Sequence, residues 1–216
     1  MNYFNLHTHQ STYLNDSIEI VNQYPKELDT TLPHYSIGIH PWYIDEATIE
    51  DDLKIIESKL NIKNCLAIGE CGLDKRIKKP LKLQTTVFER QLLLAEHYKK
   101  PVIIHCVAAF QEIIAIKKNS NCSVPMIIHG FSKNQQVAEM LIDSGFYISF
   151  GKYLLRNPDL KTVFQSIPDN KFFLETDTIN EGIVSVYALA AQYKDYNVEE
   201  LKKIINTNFE TVFNKK

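Results

Sequence analysis

The sequence predicts an α/β fold, a TIM-type (β/α)8 barrel with a trimmed first βα unit, and two observations carry that prediction. Eight short apolar runs recur along the chain, and they are nearly continuous instead of alternating with polar residues. Continuous runs mark strands covered on both faces, as in a parallel sheet. Helical patterns fill most of the intervals, and strand alternating with helix is how such a sheet is built. The 216 residues, 44% hydrophobic and 23% charged, suit one buried core at the short end of barrel lengths, so a single domain over 1–216 is expected.

In chain order the expected strands are Tyr3 to Leu6, Ile18 to Val21, Ser36 to Ile39, Cys65 to Ile68, Val102 to Ile104, Met126 to Ile128, Tyr147 to Phe150 and Phe172 to Leu174. Between His9 and Ile18 stand only eight residues, fewer than the dozen or so of a helical crossover. The first βα unit is therefore trimmed, or Ile18 to Val21 lies outside the barrel. Ile49, Leu53, Ile56 and Leu60 share one helical face, as do Val87, Gln91, Leu94 and Tyr98 before Lys99, Lys100 and Pro101 end that helix. Asn157-Pro158 opens a short helix, and Asn197 with Glu200 forms a capping-box pattern ahead of Leu201, Ile204 and Ile205.

A formal net charge of -2 offers no long-range attraction to a polyanion, so nucleic-acid binding would need local patches. Four cysteines without C-x-x-C spacing make no disulfide framework. No apolar run approaches the ~18 residues of a membrane span, and Met1 to Leu6 lack a signal-peptide pattern. A cytoplasmic protein with reduced thiols is expected, a monomer in preference to an oligomer.

The polar residues at the ends of the apolar runs are the informative ones. His7 and His9, two apart, point to one face of a strand. Glu70, His105, His129 and Asp177 each follow an apolar run closely, and in a barrel the C-terminal strand ends meet at one mouth. Four histidines and two carboxylates have the composition of a binuclear site for borderline divalent metals, since structural zinc sites are closed and usually rich in cysteine. In such a site Glu70 could bridge two ions, and Asp177 could bind metal and accept a proton.

Six blocks in order then resemble the TatD-like DNase family: H-T-H at 7–9, G-I-H-P at 38–41, I-G-E-C-G-L-D at 68–74, P-V-I-I-H at 101–105, I-I-H-G-F-S at 127–132 and L-E-T-D at 174–177. The resemblance implies a two-metal phosphodiesterase, often a 3'-to-5' exonuclease on DNA. It implies His7, His9 and Asp177 on one ion, His105 and His129 on the other, and Glu70 between them. The ions would be two of Zn, Mn, Mg, Co or Ni. It places His40 against the scissile phosphate and makes Asp74 a substrate or supporting residue. Where the family usually has an arginine two residues after His105, this chain has Val107, and Lys133 could replace that cation as a substrate contact or stand solvated at a helix start. Thr178-Ile179 stands for the usual Ala-Pro, which suggests a smaller mouth.

Lys75 to Lys82 carries five positive charges in eight residues and could track a nucleic-acid backbone. Trp42 and Tyr43 could stack on a base or pack at the rim. His34 and His97 belong to no block, and Cys106 is expected as a small buried apolar residue. Two other readings stand beside the phosphodiesterase: an amidohydrolase-type C-N or ester hydrolase of small molecules, disfavoured by a glutamate where a carboxylated lysine often bridges, and a non-catalytic metal-binding protein.

Overall fold

The computed structural model describes residues 1–12 and 14–214. Eight strands form one sheet in sequential order: β1 (Tyr3–Thr8), β2 (Ser17–Gln23), β3 (Tyr35–Ile37), β4 (Cys65–Asp74), β5 (Val102–Val107), β6 (Met126–Ile128), β7 (Tyr147–Phe150) and β8 (Phe172–Leu174). The β1/β2, β3/β4, β4/β5 and β7/β8 registers are parallel. Eight helices accompany them among the described residues: α1 (Ile49–Lys59), α2 (Leu81–Tyr98), α3 (Phe110–Asn119), α4 (Gln135–Asp143), α5 (Lys152–Arg156), α6 (Leu160–Ser166), α7 (Ile183–Lys194) and α8 (Val198–Phe213). This is the (β/α)8 barrel fold.

The trimming goes further than expected, because no helix among the described residues separates β1 from β2 or β2 from β3. Ile18 to Val21 nevertheless belongs to the sheet, paired with β1. Eight residues of extended chain reach about 26–29 Å, and a six-residue strand spans only about 20 Å, so a bare loop suffices for the return. Glu19 on β2 pins that loop, accepting hydrogen bonds from Ser11 Oγ, Thr12 N and Thr12 Oγ1 at 3.0, 2.9 and 2.6 Å.

The contacts divide the chain into two compact units, 1–21 with 128–216, and 22–127. In the first, Phe4 packs against Phe173, Phe209 and Phe213 with ring centroids 5.6, 4.6 and 5.7 Å away. Tyr187, buried on α7, donates its hydroxyl to Phe4 O and accepts from Phe4 N, both at 3.0 Å. The expected capping box at Asn197 and Glu200 starts α8.

In the second unit β4 follows a path that only glycine permits. A Cβ on Gly72, at φ +142°, would stand 2.1 Å from His105 O, and one on Gly69, at φ +145°, would stand 2.5 Å from Ile103 O. The β4/β5 register shifts between Ile68 and Cys71, which sets Glu70 off the regular pleat. Two buried glutamines of α2, two helical turns apart, hold the loops that leave β3 and β4. Gln91 brackets Ile39, accepting from its N–H at 2.7 Å and donating to its carbonyl at 3.2 Å. Gln84 does the same for Asp74 at 2.8 and 3.1 Å, and donates to Lys79 O.

Candidate metal centre

In the unit formed by 1–21 and 128–216, the end of β1 meets the segment after β8. Asp177 N donates to His7 O at 2.9 Å and His9 N donates to Asp177 O at 3.1 Å. Asp177 itself sits in the left-handed region at φ +55°, a conformation in which aspartate is among the tolerated residues. The result places Asp177 Oδ1 3.8 Å from His7 Nε2 and 3.5 Å from His9 Nε2. One ligand atom from each of the three lies within 4.8 Å of the other two. His129, after β6, lies beside His7 with the rings tilted by 50° and their centroids 4.5 Å apart.

Behind His129 lies Glu175, a fully buried carboxylate. It accepts from Gly130 N at 2.7 Å and stands 3.5 Å from His129 Nδ1. Burial pushes its carboxyl upward in pKa. Contacts with His129, the charge of His7 and the Ser149 hydroxyl outweigh that and hold it below the ordinary value. A cavity of about 330 Å³ opens onto His9 and Asp177, lined also by Gln10, Thr176 and Thr178. Lys133, half-buried just before the α4 cap Asn134, pairs with no carboxylate among the described residues.

The second cluster belongs to 22–127. Glu70 Oε1 lies 3.2 Å from His40 Nε2 and 2.8 Å from His105 Nδ1. Asp74 Oδ2 lies 3.5 Å from His105 Nε2 and accepts the Trp42 indole N–H at 2.8 Å. Burial raises the Asp74 carboxyl, but the bonds from Trp42, Arg76 N and His105 prevail and hold it below its usual range. His40 caps the 3-10 turn at Pro41–Tyr43, its Nδ1 accepting from Trp42 N at 3.1 Å. A neutral ring that accepts at Nδ1 carries its proton on Nε2, so His40 presents a donor to Glu70 or to an incoming oxygen. The Glu70 backbone N–H is held by Asn22 Oδ1 at 2.7 Å.

The sequence pattern thus singles out residues that meet within each unit: His7, His9, His129 and Asp177 in the first, and His40, Glu70, Asp74 and His105 in the second. It passed over Glu175, Asn22, Gln84 and Gln91, although Glu175 stands within the L-E-T-D block and Gln91 on a helical face already expected to be buried. Cys106 corrects an expectation: it is half-buried at the end of β5, where the chain leaves the sheet, and is not a core residue. None of the four cysteines forms a disulfide. Burial pushes the Cys65 thiol up to about 11 and Cys71 higher still, so neither supplies a thiolate nucleophile.

Each cluster fits a divalent cation on its donor chemistry. Imidazoles and carboxylates, largely desolvated and converging within 4.8 Å, are the mixed set that borderline cations accept, and burying such groups together is unfavourable without a compensating charge. Fold and donor sets together are those of barrel-type metal-dependent hydrolases. The family model for TatD related DNase matches residues 3–214, and the chain belongs to that family.

Among its relatives is an uncharacterized metal-dependent hydrolase of Haemophilus influenzae, 33% identical over 153 residues, covering 67% of this chain and 58% of the relative. A putative deoxyribonuclease TATDN1 homolog of Enterocytozoon bieneusi is 34% identical over 183 residues, covering 79% of this chain and 65% of the relative. The chain therefore spans less than two thirds of the length of either. The crystal structure of YJJV, a TatD homolog from Escherichia coli, has the same fold, with a TM-score of 0.83 at 20% identity over 99% of this chain and 98% of that one. No helix among the described residues is long and apolar enough to cross a membrane.

Proposed function

We propose that this protein is a metal-dependent phosphodiesterase acting on nucleic acid as a deoxyribonuclease. The observation that carries the reading is the convergence of His7, His9 and Asp177 at the end of β1. The printed name of the Enterocytozoon relative supports the choice of substrate. So does the carboxylate Glu70 on β4, where small-molecule amidohydrolases often use a carboxylated lysine.

His7, His9 and Asp177 would hold one divalent cation. Glu70 and His105 would hold another, and His129 offers a further imidazole beside His7. Bound there, divalent cations acidify water and offset charge on phosphoryl oxygens. Asp177, with an oxygen to spare, takes the proton from the attacking water. His40 directs its Nε2–H at a phosphoryl oxygen, the kind of fixed donor that stabilises developing negative charge. Asp74 fixes the plane of His105 through Nε2 and that of Trp42 through its indole N–H.

The test is a panel of bis(p-nitrophenyl) phosphate, single-stranded DNA and small amides, run with chelated protein reloaded with Mn, Co, Zn or Mg. Diester cleavage in the wild type and a loss of at least about 100-fold in Asp177→Asn, with circular dichroism unchanged, is the expected result. Undiminished turnover in that variant would remove Asp177 from the chemistry. Amide cleavage in the absence of diester cleavage would transfer the protein to the amidohydrolase reading.

A further inference from the structure

We propose that the groove between Trp42–Tyr43 and Lys78–Lys79 is a nucleotide subsite that holds an unpaired base and its phosphate beside the reacting diester. The inference rests on the phosphodiesterase reading and adds a binding surface to it. Both sides of the groove lie within 22–127. Its cavity, about 660 Å³, is lined by Trp42, Tyr43, Asp45, Glu46, Lys78 and Lys79 among others, and its size falls within the ~300–1,000 Å³ of small-ligand sites.

Trp42 and Tyr43 are 54% and 57% exposed, two adjacent large aromatics open to solvent. Neither is loose. Asp74 Oδ2 fixes the Trp42 indole at 2.8 Å, and Tyr24 meets Tyr43 edge to face at 5.0 Å. A rigid aromatic face open to solvent is a stacking platform, and it takes a base only when that base is unpaired. His40 lies next to it, with ring centroids 5.2 Å apart. A base stacked on Trp42 therefore carries its phosphate into the neighbourhood of the His40 donor.

The opposite wall supplies charge. In the Lys75–Lys82 run, Lys75 is spent on Glu112, whereas Arg76, Lys78, Lys79 and Lys82 pair with no carboxylate among the described residues. Asp45 and Glu46 offset part of this charge, although Asp45 is also engaged in the turn into α1 through Ala47 N. The two walls are tied together by one side chain, since Asp74 accepts Trp42 through Oδ2 and Arg76 N through Oδ1 at 2.8 Å. An aromatic platform joined rigidly to a cationic edge matches the two faces of a nucleotide, base and phosphate.

Trp42 is the single tryptophan of the chain, so its intrinsic fluorescence reads the site directly. Oligothymidylate is titrated into chelator-treated protein at several salt concentrations. The expected result is saturable quenching that weakens with salt. Lys78→Ala/Lys79→Ala, two surface changes that leave the core intact, should weaken binding and flatten the log–log salt slope by about 1.4, roughly 0.7 for each lost phosphate contact. Trp42→Ala, followed by anisotropy of a labelled oligomer, should bind about 10- to 100-fold more weakly.

Absence of quenching, a salt slope unmoved by the lysine pair, or equal binding of a blunt duplex would overturn the subsite. The arms separate this proposal from the reading beneath it. A chain that cleaves bis(p-nitrophenyl) phosphate yet shows no quenching loses the subsite and keeps the phosphodiesterase assignment. One that binds the oligomer but cleaves no diester with any metal keeps the groove as a binding surface and loses the assignment.

Discussion

Asp177 shows how backbone and side chain share the work at the level of single residues. Its positive φ is held by the two hydrogen bonds with His7 and His9, and the carboxylate thereby faces both imidazoles. Away from the site, Glu96 on α2 closes the loop before β6 in a similar way. It accepts from Ser123 N at 2.6 Å and from Ser123 Oγ at 3.1 Å, and it pairs with Lys99. The Lys99 bond and the Ser123 contacts hold its carboxyl down at about 2. A folded-state value below the unfolded one contributes stability above the unfolded pKa of ~4.3 that is lost as pH falls towards 2. Glu96→Gln should therefore unfold at lower urea than wild type at pH 6, and the gap should close between about pH 4.5 and 2. A gap that persists at pH 2 would place its origin in packing.

The same scale explains which site residues were legible. His7, His9, Glu70, His105, His129 and Asp177 stand out because each is titratable and ends an apolar run. Asn22, Gln91 and Glu175 do not, because each serves a backbone group 48, 52 or 45 residues away, and local pattern carries no trace of such a partner.

At the scale of elements, all eight strands were legible because burial on both faces leaves continuous apolar runs. Their ends shifted where side chains took over backbone bonding. The third strand stops at Ile37 instead of Ile39, since the Ile39 N–H and carbonyl are taken by Gln91. The helix expected from Asn157-Pro158 begins only at Leu160, because Asn157 is extended ahead of the proline. Five-residue α5 escaped notice, being too short to show a period. The capping box of α8 was visible because it is a strictly local exchange: Asn197 Oδ1 accepts from Glu200 N and Glu200 Oε2 from Asn197 N, both at 2.9 Å. Asn197→Ala should lower stability by about 1 kcal/mol, read as a reduced urea midpoint with an unchanged slope. A midpoint equal to wild type would show that packing of the helix, through Leu201, Ile205 and Phe209, renders the cap dispensable.

For the molecule as a whole, the proposed ions link function to stability. A ligand that binds only the folded chain stabilises it by about 2.7 kcal/mol at 100 times its Kd, and in a protein of 216 residues each kcal/mol moves Tm by roughly 2–4 °C. Reloading chelated protein with a tightly held divalent cation should therefore raise Tm by about 5–10 °C per occupied site. The two donor sets are separable by mutation. Asp177→Asn weakens the set of His7 and His9, and Glu70→Gln weakens that of His105, so each variant should retain part of the shift and about one equivalent of metal. Identical losses in both variants would indicate a single ion. A Tm indifferent to chelation and reloading, with under about one equivalent by metal analysis, would return the chain to the non-catalytic reading and leave the buried imidazoles without the charge that their burial implies.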